Sequence, residues 1–146
     1  MRYRLHDSLG YRISLAARIQ ERRLDQGLKE IGLTRLTWCI LLAVGNEDLN
    51  QPSDIAGYLR VDRSAISRAL GQMETQDLIA RDPGEADGRT RAVRLTELGR
   101  ERLVQGSPIA VENNAIMAKQ LGASDVDELK GLLDTLIEGA PAIPKL

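Results

Sequence analysis

Apolar residues recur at helical spacing along most of the chain. From Asp7 to about Gln26 they fall every three or four positions with arginine and glutamate between them, which predicts an amphipathic first helix. Thr34 opens a second helix that is apolar on nearly every side as far as Val44, so we expect this helix to be buried. The turn-forming residues 45–48 are expected to end it.

A compact pair of helices follows. Residues 52–59 and 63–74 each carry apolar side chains at helical spacing, and the short turn 60–62 separates them. Asp62 is the expected N-cap of the second helix in this pair. The order helix, tight turn, helix predicts a helix-turn-helix unit.

After Leu78 the pattern changes from the period of a helix to that of a strand. Residues 79–82 and 92–95 alternate in the manner of two short strands around the loop 83–91, which predicts a hairpin. Thr96 is expected to cap a long helix from Glu97 to about Leu121.

Two features of the C-terminal part bear on the length of its helices. Pro108 lies inside the long helix, and we expect it to remove the hydrogen bond to the Val104 carbonyl and to bend or break the helix there. Ser124 is expected to cap a last helix with an apolar stripe, and the tail 140–146 is expected to be irregular.

These elements predict a mainly α protein with a small β-hairpin wing. The expected organisation is a winged helix-turn-helix lobe at 34–99, a helical dimerisation domain formed by the N-terminal helix at 1–33 and the C-terminal helices at 100–139, and the tail at 140–146. The apolar stripes of the terminal helices lie outside the lobe and need a partner, which predicts a homodimer. Docking of these helices onto their own lobe in a monomer is the alternative.

Composition narrows the classes of function. The 146 residues are 42% hydrophobic and 28% charged, as in an ordinary single globular domain. Cys39 and His6 are the only residues of their types, which excludes an internal disulfide and predicts neither a metal site nor a cofactor. The longest apolar run, 38–44, is too short to span a membrane and no apolar stretch follows the N-terminus, so we expect a cytoplasmic protein without a membrane partner.

The sequence contains no glycine-rich phosphate loop, nucleophile elbow or cluster of metal ligands, and a catalytic triad would have to use His6. We therefore expect the protein not to be an enzyme.

The second helix of the pair carries small and hydrogen-bonding residues on the side opposite its apolar face. The positions opposite the apolar Ile66, or at the edges of that face, are small or hydrogen-bonding: Ser64, Ser67, Arg68, Gly71, Gln72 and Thr75. Hydroxyl, amide and guanidinium groups are those that contact base edges and phosphates in DNA. An ordinary polar surface is the alternative interpretation of this face.

The predicted hairpin adds a group of cations. Arg89, Arg91 and Arg94 lie in or beside its loop, where an arginine tip can enter a narrow minor groove. Asp87 could pair with Arg89 and hold its guanidinium at the tip.

Two motifs resemble a known family. The Asp87-x-Arg89 loop that runs into a strand ending Leu95-Thr96-x-x-Gly99 resembles the wing signature of the MarR family of bacterial transcriptional regulators. Residues 61–68 are similar to the opening of that family's recognition helix. The resemblance implies a homodimeric winged-helix protein whose two lobes each read half of a pseudo-palindromic site in double-stranded DNA.

The resemblance also implies roles for individual residues. The expected contacts with the major groove are Ser64, Ser67 and Arg68, with Gln72 beside them. In the wing, Arg89 would reach the minor groove with Asp87 orienting it, while Arg63 and Arg91 would contact phosphates. The wing departs from the family pattern because it carries Glu85 in addition to Asp87, which weakens its positive field.

The leading hypothesis is a dimeric, sequence-specific DNA-binding regulator. It would act as a repressor, and a ligand would relieve the repression. The alternative is a winged-helix module that binds protein instead of DNA, and the acidic isoelectric point of about 5.9 favours it.

Relatives in this family often bind small phenolic or other aromatic anions between the dimer helices and the DNA-binding lobe. Tyr11, Arg18 and Trp38 are the candidate pocket residues, because an aromatic wall beside a cation suits a carboxylate or phenolate. The alternative is that Trp38 belongs to the core while Tyr11 and Arg18 lie on a dimer surface. Cys39 has no adjacent cation within its apolar helix, so we expect a protonated and unreactive thiol.

Overall fold

The structure is a computed structural model that describes residues 1–82 and 92–140. A 3-10 turn at Leu5–Asp7 precedes the first long helix. The further elements, in chain order, are α1 (Leu9–Glu30), α2 (Arg35–Asn46), α3 (Pro52–Leu59), α4 (Arg63–Thr75), β1 (Ile79–Arg81), β2 (Val93–Leu95), α5 (Glu97–Leu121) and α6 (Ala123–Glu138). The predicted mainly α fold with a β-hairpin is confirmed, and α1 continues past its expected end near Gln26.

The core of the lobe surrounds α2. Its cap is as predicted: the Thr34 hydroxyl accepts from the Thr37 backbone N–H, and the Thr37 hydroxyl accepts from the Thr34 backbone N–H. Helices α3, α4 and α5 and strand β2 all pack on α2. The largest side chains that are fully buried are Leu28, Ile40, Leu41, Ile55, Ile66, Leu70, Met73 and Ile79.

Pro108 is predicted to bend or break α5, and the break does not occur, because one helix runs from Glu97 to Leu121. The structure gives the physical reason. Both α1 and α2 pack along α5, and the Trp38 ring lies so close to Gly106 that a Cβ there would overlap it. Packing on two sides offsets the roughly 3 kcal/mol that an interior proline costs a helix.

The start of α6 also differs from the prediction. The N-cap is Gly122 rather than Ser124, and Gly122 has a φ of +85°, which glycine adopts without the steric cost that a Cβ brings. A single residue therefore both ends α5 and begins α6, since its N–H donates to the Ala118 carbonyl and its carbonyl accepts from Val126.

A buried polar contact joins α1 to α5. Arg23 Nε donates to Asn113 Oδ1 at 3.0 Å, and Asn113 Nδ2 donates to Gln20 Oε1 at 3.1 Å. Asn113 is only 6% exposed, so these bonds supply the partners that a buried amide requires. Sequence reasoning missed this contact because its members are about 90 residues apart in the chain.

Helix α6 packs against α5, yet none of its residues is buried. Across the described ranges 1–82 and 92–140, each helix is either too short or too polar to traverse a lipid bilayer.

Candidate nucleic-acid interface

Helix α4 is anchored to the lobe by one face. Ile66, Ala69, Leu70 and Met73 are buried, and their spacing is that of one side of a helix. The predicted contact residues on the other side, Ser64, Ser67, Arg68 and Gln72, are all exposed, and so is Arg63 in the first turn. At Gly71 no atom of another described element lies within 4 Å of the place a Cβ would occupy, which leaves room for close approach to the backbone.

The turn before α4 places the start of that helix at the surface. Arg60 ends α3 with a φ of +53°, and its exposed side chain therefore sits on a backbone conformation that favours glycine or asparagine. Val61 then returns to the core, and its N–H donates to the Ala56 carbonyl at 3.0 Å.

Asp62 occupies the predicted N-cap position, but its carboxylate is used differently from the prediction. Within α4 no backbone N–H donates to it. Instead, the Ser64 hydroxyl donates to Asp62 Oδ2 at 2.8 Å. Sequence analysis identified both residues but gave no signal for this bond, because either partner alone fits an ordinary helix start.

The base of the wing consists of two short strands. Strands β1 and β2 pair antiparallel with Ala80 opposite Arg94. Arg94 Nε donates to Asp82 Oδ1 at 2.9 Å while both side chains stay more than half exposed, so the predicted wing cation Arg94 has an acidic partner in the strand region. An exposed pair of this kind adds little stability, about 0–1 kcal/mol.

The predicted tip residues Asp87, Arg89 and Arg91 belong to segment 83–91, which lies outside the described residues, as does Glu85. The expected pairing of Asp87 with Arg89 therefore stays a prediction.

The Leu95-Thr96-x-x-Gly99 motif has a structural explanation. The Thr96 hydroxyl accepts from the Gly99 backbone N–H at 3.0 Å and donates to the Asp77 carbonyl. A Cβ at Gly99 would overlap the carbonyl oxygen of Leu78, so only glycine allows this approach. The motif thus ties the wing to the start of α5.

The three predicted pocket residues have different surroundings. Trp38 is 3% exposed and packs on Gly106, in accordance with the core alternative. The Tyr11 ring meets the His6 ring edge to face at 5.2 Å between centroids. Arg18 lines a charged groove of about 400 Å³ beside Arg35. Their role in ligand binding stays a prediction.

Cys39 lies partly buried in α2, and burial raises the pKa of its thiol above the usual 9.0. The positive charge of Arg35 opposes this rise to a smaller extent. The expectation that no cation is near Cys39 is therefore wrong, because Arg35 lies one turn earlier on the same face of the helix. Arg35 is itself paired with Glu21 and Asp25, each at 2.7 Å.

In residues 1–82 and 92–140, no three His, Cys, Asp or Glu side chains are placed together in a way that could hold a metal ion.

Comparison with protein families and curated proteins gives a consistent result. The model described as MarR family matches residues 31–90 of this chain. YdgJ of Bacillus subtilis (strain 168), named an uncharacterized HTH-type transcriptional regulator, is 28% identical over 105 residues. That match covers 72% of this chain and 62% of YdgJ, so the chain spans about six tenths of the length of this relative.

Two solved structures show how far the fold is shared. A cysteine-to-serine mutant of MarR from E. coli, complexed with operator DNA, matches with a TM-score of 0.80 and 24% identity over 88% of this chain and 92% of that one. The transcriptional repressor CouR, bound to p-coumaroyl-CoA, matches with a TM-score of 0.83 and 21% identity over 96% of this chain and 99% of that one. At these identities the likeness establishes the fold.

Proposed function

We propose that the chain is a winged helix-turn-helix transcriptional regulator of the MarR family, whose model matches residues 31–90. In this proposal it binds double-stranded DNA as a homodimer, with α4 in the major groove and the wing in the adjacent minor groove. The observation that carries this proposal is the exposed face of α4. That face offers hydroxyls, an amide and a guanidinium on a helix whose other side is fixed in the core.

The proposed roles follow the position of each group. Ser64, Ser67, Arg68 and Gln72 contact base edges, because they lie on the outward face of α4. Arg63, in the first turn, and Arg91 contact phosphates. Arg89 enters the minor groove with Asp87 holding its guanidinium in place.

Dimerisation is supported by the apolar side chains that the terminal helices leave uncovered. On α6 these are Leu129, Leu132, Leu136 and Ile137, and on α1 they are Leu9, Ile13, Leu15 and Ile19. Apolar side chains left exposed in such numbers on both terminal helices favour an interaction surface there. In a dimer the two α4 helices would lie about 34–36 Å apart and would read half-sites about one helical turn apart.

The proposed regulatory effect is repression that a small aromatic or phenolic ligand relieves. CouR, which shares the fold, is named a repressor and is bound to an aromatic acyl-CoA. The proposed contacts for such a ligand are Tyr11, Arg18 and Trp38. The proposed function also places the protein in the cytoplasm and requires no catalytic activity.

A DNA-binding titration tests the proposal. Double-stranded DNA selected from a random pool is titrated with the wild-type protein at several salt concentrations, and the affinity is expected to fall steeply as salt rises. We expect Arg68→Ala and Arg89→Ala each to weaken binding at least tenfold. Arg22→Ala is the matched control, because it removes the same charge from an exposed position on α1.

Failure of the wild-type protein to select or retain any DNA at low salt would refute the proposal. If Arg68→Ala and Arg89→Ala bind DNA as well as Arg22→Ala does, α4 and the wing are not the DNA-binding surface. The alternative of a protein-interaction module would then be favoured.

A further inference from the structure

In the first turn of α4, the hydroxyl proton of Ser64 is already engaged in a hydrogen bond. The Ser64 hydroxyl donates to Asp62 Oδ2 at 2.8 Å. A carboxylate can only accept hydrogen bonds, so the direction of this bond is not ambiguous. The oxygen of Ser64 keeps its lone pairs and has no second proton to offer.

This arrangement departs from the usual chemistry of a helix start. An aspartate N-cap normally accepts from the backbone N–H of the second or third helical residue, which stabilises the helix by about 1 kcal/mol. No backbone N–H of α4 makes such a bond with Asp62. A hydroxyl bond to a charged acceptor is among the stronger hydrogen bonds, so it holds the serine in one orientation.

Ser67 provides a contrast on the same helix. It is exposed one turn further along, and no described residue accepts a hydrogen bond from its hydroxyl. Its proton can therefore rotate toward whatever group it meets, as a donor or an acceptor.

We propose that Ser64 is a specificity-determining residue that reads DNA as a hydrogen-bond acceptor only. It then selects a base with an exocyclic amino group in the major groove, cytosine through N4 or adenine through N6. Guanine and thymine present only acceptors there, so either would place an acceptor against the lone pairs of Ser64. Asp62 is the positioning residue that imposes this selection. The inference rests on the proposed function, because it assigns the base preference of the helix proposed to enter the groove.

The test compares the DNA sequences that four proteins select from one random pool: wild type, Ser64→Ala, Asp62→Asn and Ser67→Ala. The position that Ser64 reads is the one whose preference disappears in Ser64→Ala. At that position we expect the wild type to favour cytosine or adenine about tenfold over guanine or thymine.

Asp62→Asn keeps the shape of the side chain but adds an amide that can donate as well as accept. The Ser64 hydroxyl is then no longer committed as a donor, and the tenfold preference is expected to fall below about threefold. Ser67→Ala is expected to alter a different position and to leave this preference intact.

Loss of a negative charge near DNA is a separate effect and needs its own control. Asp54→Asn removes an equal charge from the exposed first turn of α3. We expect it to raise the affinity for all sequences alike, without changing the base preference. Circular dichroism checks that each variant retains its helical content.

Three outcomes would overturn the inference alone: a wild-type preference for guanine or thymine at the Ser64 position, an undiminished preference in Asp62→Asn, or a selected sequence that Ser64→Ala leaves unchanged. If the wild type selects no DNA, the proposed function fails and this inference fails with it.

Discussion

The lobe and the C-terminal helix differ in where their apolar side chains go. Helix α2 buries six of its residues within a single chain, whereas α6 buries none although it carries an apolar stripe. Both helices have sequences that favour burial. The core around α2 is therefore completed within one chain, with side chains from α1 and α5 packed against it, while α6 must obtain its burial from elsewhere if its apolar residues are to contribute to stability.

The largest effect is expected in the lobe core. Leu41 is fully buried, so Leu41→Ala should lower the free energy of unfolding by about 3 kcal/mol through lost burial and the cavity left behind. Leu132 is 59% exposed, so Leu132→Ala should change stability by less than about 0.5 kcal/mol in a dilute, monomeric sample. Urea denaturation measures both. Equal losses in the two variants at the same dilution would contradict the difference in burial between α2 and α6.

A charge on α6 tests whether a second copy covers that helix. Leu132→Asp should weaken self-association by about a hundredfold, since it would place an unpaired carboxylate in the proposed dimer interface. Ser124→Asp adds the same charge to the first turn of α6, apart from the stripe, and should leave association unchanged. Sedimentation equilibrium over a range of concentrations gives the dissociation constants. A wild-type protein that stays monomeric throughout that range would exclude the dimer.

Local patterns predicted most of the lobe correctly. The spacing of Ile66, Leu70 and Met73 predicts the buried face of α4, and Thr34 is correctly predicted at the start of α2. These features depend on neighbours within one or two turns, which a single sequence displays directly. The motif of Thr96 and Gly99 is also visible in the sequence, although its cause, a close approach of Gly99 to Leu78, is visible only in the coordinates.

Contacts between segments that are distant in the chain are harder to predict. Pro108 predicts a bend or a break, but α5 is continuous there because α1 and α2 pack on it, and this packing leaves no local trace in the sequence. At the candidate interface, the exposed residues of α4 were predicted, whereas the bond from Ser64 to Asp62 was not. A short polar side chain can form a hydrogen bond with the backbone or with a neighbouring side chain. Which bond forms depends on its rotamer, and residue type alone does not decide this.

The buried polar contact between α1 and α5 should show an intermediate effect. Asn113 joins α1 to α5, and Asn113→Ala leaves Arg23 and Gln20 without this partner. The free energy of unfolding should fall by about 1–2 kcal/mol. Gln120→Ala changes an exposed residue of the same helix and should cost less than about 0.5 kcal/mol. Thermal or urea unfolding measures both, and equal losses would show that the buried bonds add nothing.

The smallest effect concerns the one thiol of the lobe. Because burial raises the pKa of Cys39 in the folded chain, the unfolded chain releases this proton first as the pH rises above about 9.0. The contribution of Cys39 to stability is therefore constant below that pH and declines as the pH rises toward the folded-state pKa. Urea midpoints of wild type and Cys39→Ala, compared between pH 7 and 10, isolate the contribution of the thiol to stability.

The reactivity of the thiol is a separate test. Iodoacetamide should modify the folded protein far more slowly than the urea-unfolded chain at pH 7.5, because a protonated and partly buried thiol is a poor nucleophile. Equal rates in the two states would mean that α2 opens to solvent more readily than its buried core implies.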